Sequence, residues 1–325
     1  MHKIVFLDRE TLAPSVRLRK PAFPHALVEY QSTTAAQTAS RIEDASIVIV
    51  NKVRLDESTL QKCPNIKLIA VAATGTDCVD VAACSRRGIL VTNIRGYAVN
   101  TVPEHTLALI LALRRNVVAY RDDVLAGAWQ KSGQFCFFDH RIQDLAGARI
   151  GIVGEGVLGS RVGELARSFG MDVVFAGHRG KAPGTGMIPW EEALRTSDII
   201  TLHCPLTAET NKLFSDAEFA AMQRKPIFVN TARGGLVDEE ALERALESGA
   251  ISGAGIDVTT QEPPAIDGPL MRVARRPNVI LTPHVAWASE QAQQSLADQL
   301  VDVIDAFVAG TARNAVNTLA DAVSR

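Results

Sequence analysis

The stretch Gly151-Ile-Val-Gly154-Glu-Gly156-Val-Leu-Gly159 carries the G-x-G-x-x-G spacing of a dinucleotide turn, between a β-branched run and an amphipathic segment reaching Phe169. The demand on these positions is physical. Gly154 permits the tight turn, Gly156 lets the backbone approach a pyrophosphate, and Gly159 allows close packing of helix on strand, with the first N–H groups of the helix facing the anion. Three further polar residues follow apolar runs later in the chain: Arg233 in Val229-Asn-Thr-Ala-Arg-Gly-Gly-Leu-Val-Asp238, Glu262 in Asp257-Val-Thr-Thr-Gln-Glu-Pro-Pro264, and His284 in Thr282-Pro-His-Val-Ala-Trp-Ala-Ser289. A guanidinium, a carboxylate and an imidazole are the groups of anion binding and acid–base chemistry. Each alone has a plainer reading, as a surface ion pair, a turn carboxylate and a packed core histidine.

In a dinucleotide domain an acidic residue about 20 positions beyond the glycine turn accepts the adenosine ribose hydroxyls. Here Val173-Val-Phe-Ala176 runs into Gly177-His178-Arg179-Gly180-Lys181, without Asp or Glu. An unphosphorylated ribose lacks its usual acceptor and cations stand in its place, which favours NADP (NADPH) and leaves NAD as the alternative. A surface loop with ordinary basic residues is the plainer reading.

The elements that must position these groups are visible as alternating patterns. Lys3–Leu7, Ser46–Val50, Lys67–Ala72 and Leu90–Asn93 read as strands with helical stretches between them, followed by an apolar helix over Pro103–Arg115. A second series, Arg149–Val153, Asp172–Ala176, Asp198–Leu202, Pro226–Asn230, Gly253–Val258 and Asn278–Thr282, describes a doubly wound parallel sheet. In such a sheet ligands sit beyond the carboxyl ends of the strands, where the three polar residues fall. Helical spacing returns over Ser289–Ala309 with Leu296, Leu300, Val303, Ile304 and Phe307 on one face. The economical architecture is α/β with two doubly wound parallel-sheet domains: 1–98 with 289–325, smaller and flavodoxin-like, and 99–288, Rossmann-type, with the ligands in a cleft between them. The stretch Gln130–Gln143, with Trp129, Phe135, Phe137 and Phe138, holds much apolar surface for a loop. It reads either as a loop folded onto its own domain or as a subunit contact.

Composition narrows the classes. With 325 residues, 47% hydrophobic and 22% charged, the chain has the balance of a globular protein of two domains. A net charge of -2 leaves no basic excess for phosphates or anionic lipid, so neither nucleic acid nor a membrane is an expected partner. The longest apolar run, Leu107–Leu113, is too short to span a bilayer. Five scattered cysteines without C-x-x-C spacing give neither a disulfide framework nor a metal site, and a cytoplasmic location is expected.

Taken together, the glycine turn and the Arg233, Glu262 and His284 motifs resemble the D-2-hydroxyacid dehydrogenase family, with similarity over nearly the whole chain. The resemblance implies His284 as acid/base, Glu262 as its partner and Arg233 as substrate anchor. It implies substrate contacts at Asn51 and in the loop Val71-Ala-Ala73-Thr74-Gly75-Thr-Asp77, whose N–H groups receive the substrate carboxylate. Cofactor contacts are implied at Gly154, Gly156, Val157, Leu158, Gly159, Gly177, His178, Arg179, Cys204, Pro205, Thr231, Ala232, Arg233, Asp257, His284 and Ala286. Within the family, Gln134-Phe-Cys-Phe-Phe-Asp-His140 and His284-Val-Ala-Trp-Ala288 look most like the hydroxypyruvate and glyoxylate reductase (glycerate dehydrogenase) branch. The activity so implied is hydride transfer from NAD(P)H to a small 2-oxo acid, giving the D-2-hydroxy acid, and the reverse, in a homodimer. A larger 2-oxo acid and a dinucleotide-sensing corepressor of the same fold are the alternatives.

Overall fold

The computed structural model describes residues 1–318, which form two compact units: Met1–Ala98 with the chain from Ala288 onward, and Val99–Trp287. Both are built on parallel sheets.

The first unit holds β1 (His2–Phe6), β2 (His25–Glu29), β3 (Ile47–Val50), β4 (Leu68–Val71) and β5 (Leu90–Thr92), in the order β2-β1-β3-β4-β5. Its helices are α1 (Ala35–Ile42), α2 (Glu57–Gln61), α3 (Val81–Arg86) and the late α12 (Glu290–Val308). β3 and β4 are buried along their whole length, as expected of central strands covered on both faces, and they explain the uninterrupted Ile-Val-Ile-Val and Leu-Ile-Ala-Val runs. The Ser289 hydroxyl caps α12 by accepting from Ala292 N. Gln293 on α12 then accepts from Ala13 N at 2.8 Å, and α12 packs against β4.

The second unit holds β6 (Arg149–Val153), β7 (Asp172–Ala176), β8 (Met187–Ile188), β9 (Ile199–Leu202), β10 (Ile227–Asn230), β11 (Gly253–Ile256) and β12 (Val279–Leu281). Their order is β12-β11-β10-β9-β6-β7-β8, with the topological reversal beside β6. Around it lie α4 (Thr101–Arg114), α5 (Val117–Leu125), α6 (Ala128–Ser132), α7 (Val157–Ser168), α8 (Trp190–Thr196), α9 (Asp216–Ala220), α10 (Glu239–Ser248) and α11 (Pro269–Val273). α4 lies on β10 and β11, with Leu107, Leu109, Ile110 and Leu113 buried against Ile150, Ile152 and Val229. Among the described residues no helix is long and apolar enough to cross a membrane.

Two strands correct the sequence reading, which had four strands in the first series and six in the second. β2 and β8 are edge strands, and neither is fully buried. Such strands need no continuous apolar run, so their sequences carry no strong pattern. Trp129 also belongs to the short helix α6 rather than to a loop, and its indole N–H donates to Gln134 O at 3.0 Å.

Candidate active site

The glycine turn follows β6 and opens α7. Gly154 has φ +104°, and a Cβ there would stand 2.7 Å from the backbone of His203. A Cβ on Gly159 would lie 2.0 Å from Gly154 O. These two glycines are required by the protein's own packing. Gly156 differs: it is the N-cap of α7, has no side-chain cap, and a Cβ there would meet nothing within 4 Å. The space beside the α7 N-terminus is open, and the first-turn amides of Val157 and Leu158 have no helical acceptors. That combination fits a pyrophosphate.

The turn after β10 carries Arg233. Asn230, at the end of β10 and 1% exposed, accepts from Ala232 N at 3.0 Å and donates to Arg233 O at 2.9 Å, closing the turn with its side chain. Thr231 meets Thr106 of α4 hydroxyl to hydroxyl at 2.9 Å. Arg233 Nη1 donates to Ala232 O at 2.7 Å. A Cβ on Gly234 would lie 2.0 Å from Thr259 C, so only glycine lets this turn pack on the loop that bears Glu262.

Glu262 is held at both carboxylate oxygens. Oε1 accepts from Thr259 N at 3.2 Å, and Oε2 lies 2.7 Å from Nδ1 of His284. The carboxylate fixes the tautomer: Nδ1–H donates to Glu262, which leaves Nε2 as the nitrogen for proton exchange.

His284 stands in a left-handed backbone conformation, φ +54°, which a non-glycine residue adopts only when its surroundings impose it. Asp257 imposes it. Its backbone oxygen accepts from His284 N at 2.8 Å, and its carboxylate accepts from Thr282 Oγ1 at 2.6 Å, Val285 N at 2.9 Å and Ala286 N at 2.9 Å. Asp257 is 1% exposed, and His105 Nε2 of α4 lies 3.7 Å from its Oδ1 and 3.2 Å from Thr282 Oγ1. Asp257 and Ala286, read from the sequence as cofactor contacts, are thus engaged with each other in holding the turn. The parts played by Asn230 and His105 are absent from the sequence reading. No motif links either of them to the turn it supports.

Cys204 and Pro205 follow β9. Burial pushes the Cys204 thiol up to about 11, so it is a neutral thiol at physiological pH. Gly177 follows β7, where a Cβ would stand 3.1 Å from Pro183 Cα and 3.2 Å from Ile188 O. A side chain there would require the loop to give by a few tenths of an ångström. His178 and Arg179 are exposed. Arg179 Nη1 donates to Glu218 Oε1 at 3.1 Å and Leu213 O at 3.4 Å, so its charge is paired with a nearly buried carboxylate. The cation that the sequence sets in place of an acidic acceptor is thus already engaged in an ion pair.

In the first unit, Asn51 follows β3 and is 4% exposed. The loop after β4 is pinned by Ile94 N to Ala73 O at 3.0 Å, Thr74 Oγ1 to Ile94 O at 2.8 Å and Asn93 Nδ2 to Thr74 O at 2.7 Å, with Gly75 next in line.

Comparison with known proteins sharpens this picture. Residues 107–286 match the family model for the D-isomer specific 2-hydroxyacid dehydrogenase, NAD binding domain. A glycerate dehydrogenase of Methylorubrum extorquens is 50% identical over 97% of this chain and 98% of its own length. A hydroxypyruvate reductase of Blautia hydrogenotrophica is 35% identical over 88% of this chain and 89% of its own. The D-lactate dehydrogenase of Aquifex aeolicus, solved with NAD and lactic acid, superposes with TM-score 0.80 at 28% identity, covering 95% of this chain and 96% of that one. With its glycine turn and its two parallel-sheet units, the chain belongs to the D-isomer specific 2-hydroxyacid dehydrogenases, oxidoreductases that use a nicotinamide dinucleotide.

Proposed function

We propose that the chain reduces small 2-oxo acids, hydroxypyruvate and glyoxylate first, to the D-2-hydroxy acids, with NADPH preferred over NADH. The observation that carries the acid–base part is the 2.7 Å contact between His284 Nδ1 and Glu262 Oε2. The substrate class is supported by the glycerate dehydrogenase and hydroxypyruvate reductase relatives.

A nicotinamide dinucleotide supplies the hydride when bound. The α7 N-terminus at Gly156, Val157 and Leu158 receives its pyrophosphate, and the residues after β7, β9 and β10 line its remaining length. The chain's own groups do the rest. Arg233 binds the substrate carboxylate through its planar fork and orients the carbonyl. In the first unit, Asn51 and the amides of Ala73–Gly75 are the groups offered to a substrate carboxylate. His284 as imidazolium delivers a proton from Nε2 to the alkoxide oxygen, and Glu262 holds that charged form in place. In the reverse direction the same nitrogen takes the hydroxyl proton.

The cofactor preference rests on Gly177, which offers no acidic acceptor to the ribose, and on Arg179. The Glu218 pairing moderates it, because Arg179 reaches a 2′-phosphate with part of its charge already balanced. The exposed Phe135 and Phe138, at 90% and 82%, support a homodimer contact, whereas Phe137 packs edge-on against Tyr120 of its own unit. Sedimentation of Phe135→Ser/Phe138→Ser against wild type reads that contact. A cytoplasmic location completes the reading. The deciding experiment is steady-state reduction of a panel of 2-oxo acids with NADPH and with NADH. Turnover of hydroxypyruvate with the higher kcat/KM for NADPH is the expected result. A larger 2-oxo acid preferred over hydroxypyruvate, or NADH preferred, overturns the corresponding half.

A further inference from the structure

The first unit contains a buried carboxylate that neither the motifs nor the proposed chemistry uses. Asp8 lies two residues beyond β1 and is 3% exposed. Its oxygens accept from three consecutive amides: Asn51 N at 3.0 and 3.1 Å, Lys52 N at 2.6 Å and Val53 N at 3.1 Å. The backbone that delivers it is itself fixed, since Asp8 O accepts from Thr11 N at 3.1 Å and Thr11 Oγ1 at 2.8 Å. On the other side of the loop, Cys78 Sγ lies 3.4 Å from Asn51 O, and Leu55 N donates to Cys78 O at 2.8 Å.

Three successive N–H groups turned toward one point form a concave anion receptor. In a unit whose substrate is an anion, such a receptor would capture the substrate carboxylate in the wrong place. Here a side chain of the protein fills it permanently.

We propose that Asp8 is a positioning residue for substrate binding: its carboxylate occupies the amide nest of Asn51–Val53, holds Asn51 in its substrate-side position, and leaves the loop after β4 as the receptor for the 2-oxo acid carboxylate. The inference rests on the reading of Asn51 as a substrate contact. It predicts a division of labour between two neighbouring loops, one organised by a built-in anion and the other open to an external one.

The test uses the full-length enzyme with hydroxypyruvate, or with whichever oxo acid of the panel is turned over. Asp8→Ala empties the nest, and loss of charge-assisted hydrogen bonds of this kind is expected to raise KM for the oxo acid about tenfold, with kcat and the KM for NADPH changed less than about twofold. Added formate distinguishes positioning from general loosening. In wild type it only competes with the oxo acid and raises apparent KM; in Asp8→Ala it also refills the nest, so KM falls or rises clearly less than in wild type, an effect sodium chloride of equal ionic strength does not reproduce. A wild-type KM in Asp8→Ala, or a KM that formate raises to the same degree in both proteins, overturns the proposal. Should Asp8→Ala fail to fold, Asp8→Asn decides: a raised KM at unchanged kcat and cofactor KM supports it, and an unchanged KM overturns it. Asn51→Ala separates the two layers. If its KM is that of wild type, the substrate-side reading of the loop falls. If its KM rises while that of Asp8→Ala does not, the Asp8 inference alone falls.

Discussion

Asp8 and Asp257 are the same device in two different units. Each stands just past the end of a strand, each is almost fully buried, and each carboxylate accepts amides from the turn that ends the neighbouring strand: β1 and β3 for Asp8, β11 and β12 for Asp257. The difference lies in what the turn bears. Asp8 holds three ordinary amides ahead of a binding loop. Asp257 holds two amides and a hydroxyl around a histidine in left-handed conformation, with His105 close behind. A turn that only binds needs its backbone fixed, whereas a turn that transfers a proton needs its backbone fixed in a conformation the chain would otherwise avoid. Damage to the first should therefore appear in KM and damage to the second in kcat.

The strongest way to sharpen this contrast is to remove the proton donor and leave its turn intact. His284→Gln keeps the Asp257 clamp, which engages backbone groups, and kcat for oxo-acid reduction should fall by roughly 10² to 10⁴ while cofactor affinity is unchanged. Single-turnover reduction measures it, and near-wild-type kcat would remove His284 from the mechanism. Asp257→Asn does the opposite: the imidazole stays, but an amide NH2 now faces the amides of Val285 or Ala286. Leaving such buried donors unsatisfied typically costs about 1 to 3 kcal/mol of stability. We expect a lower urea midpoint together with a kcat reduced about tenfold to a hundredfold, less than in His284→Gln, because the donor survives in a loosened turn. A stability loss with wild-type kcat would mean that the left-handed conformation is not needed for catalysis.

A smaller effect is expected at Glu262. Glu262→Gln keeps the shape and the hydrogen bond to His284 but removes the negative charge beside the imidazolium. The kcat for oxo-acid reduction should fall by a few-fold to about tenfold, because the charge that steadies the imidazolium is lost while the donor stays in place. A wild-type kcat would reduce Glu262 to holding the ring.

The strands that carry these residues were legible because central parallel strands are covered on both faces and must be apolar throughout, as Ile47–Val50 and Ile199–Leu202 are. His25–Glu29 escaped notice for the complementary reason. On the edge of its sheet it is only partly buried, so charge and alternation replace the apolar run. The glycine turn and the two members of the His284–Glu262 contact were legible because their residue types are chemically demanding. The clamps were not. Asp8 lies 43 residues from Asn51, and Asp257 28 residues from Val285, so an aspartate there looks like any other until the strands are paired. Gly177 reads in sequence as a missing acid, and only the fold shows that it also lies close against Pro183 and the Ile188 carbonyl.

The smallest effect is expected at Asp8 and is read against pH. Burial pushes the Asp8 carboxyl above its ordinary value of 3.8, against the pull of the three amides and of the nearby Lys52 charge. A carboxyl whose folded-state value is raised binds its proton more tightly in the folded chain than in the unfolded one. It therefore contributes stability below the ordinary aspartate value, and that contribution is lost as pH rises through the raised value. Asp8→Asn does not titrate, so the stability gap between wild type and this variant should be widest at acid pH and narrow as pH climbs out of the aspartate range. Urea unfolding of both proteins from about pH 3.5 to 7 measures the gap, since linkage acts only between the two protonation midpoints. A gap that widens toward neutral pH would mean that the amides outweigh burial. Asp8 would then be held chiefly as a charged anion, and its nest would bind formate in Asp8→Ala all the more strongly.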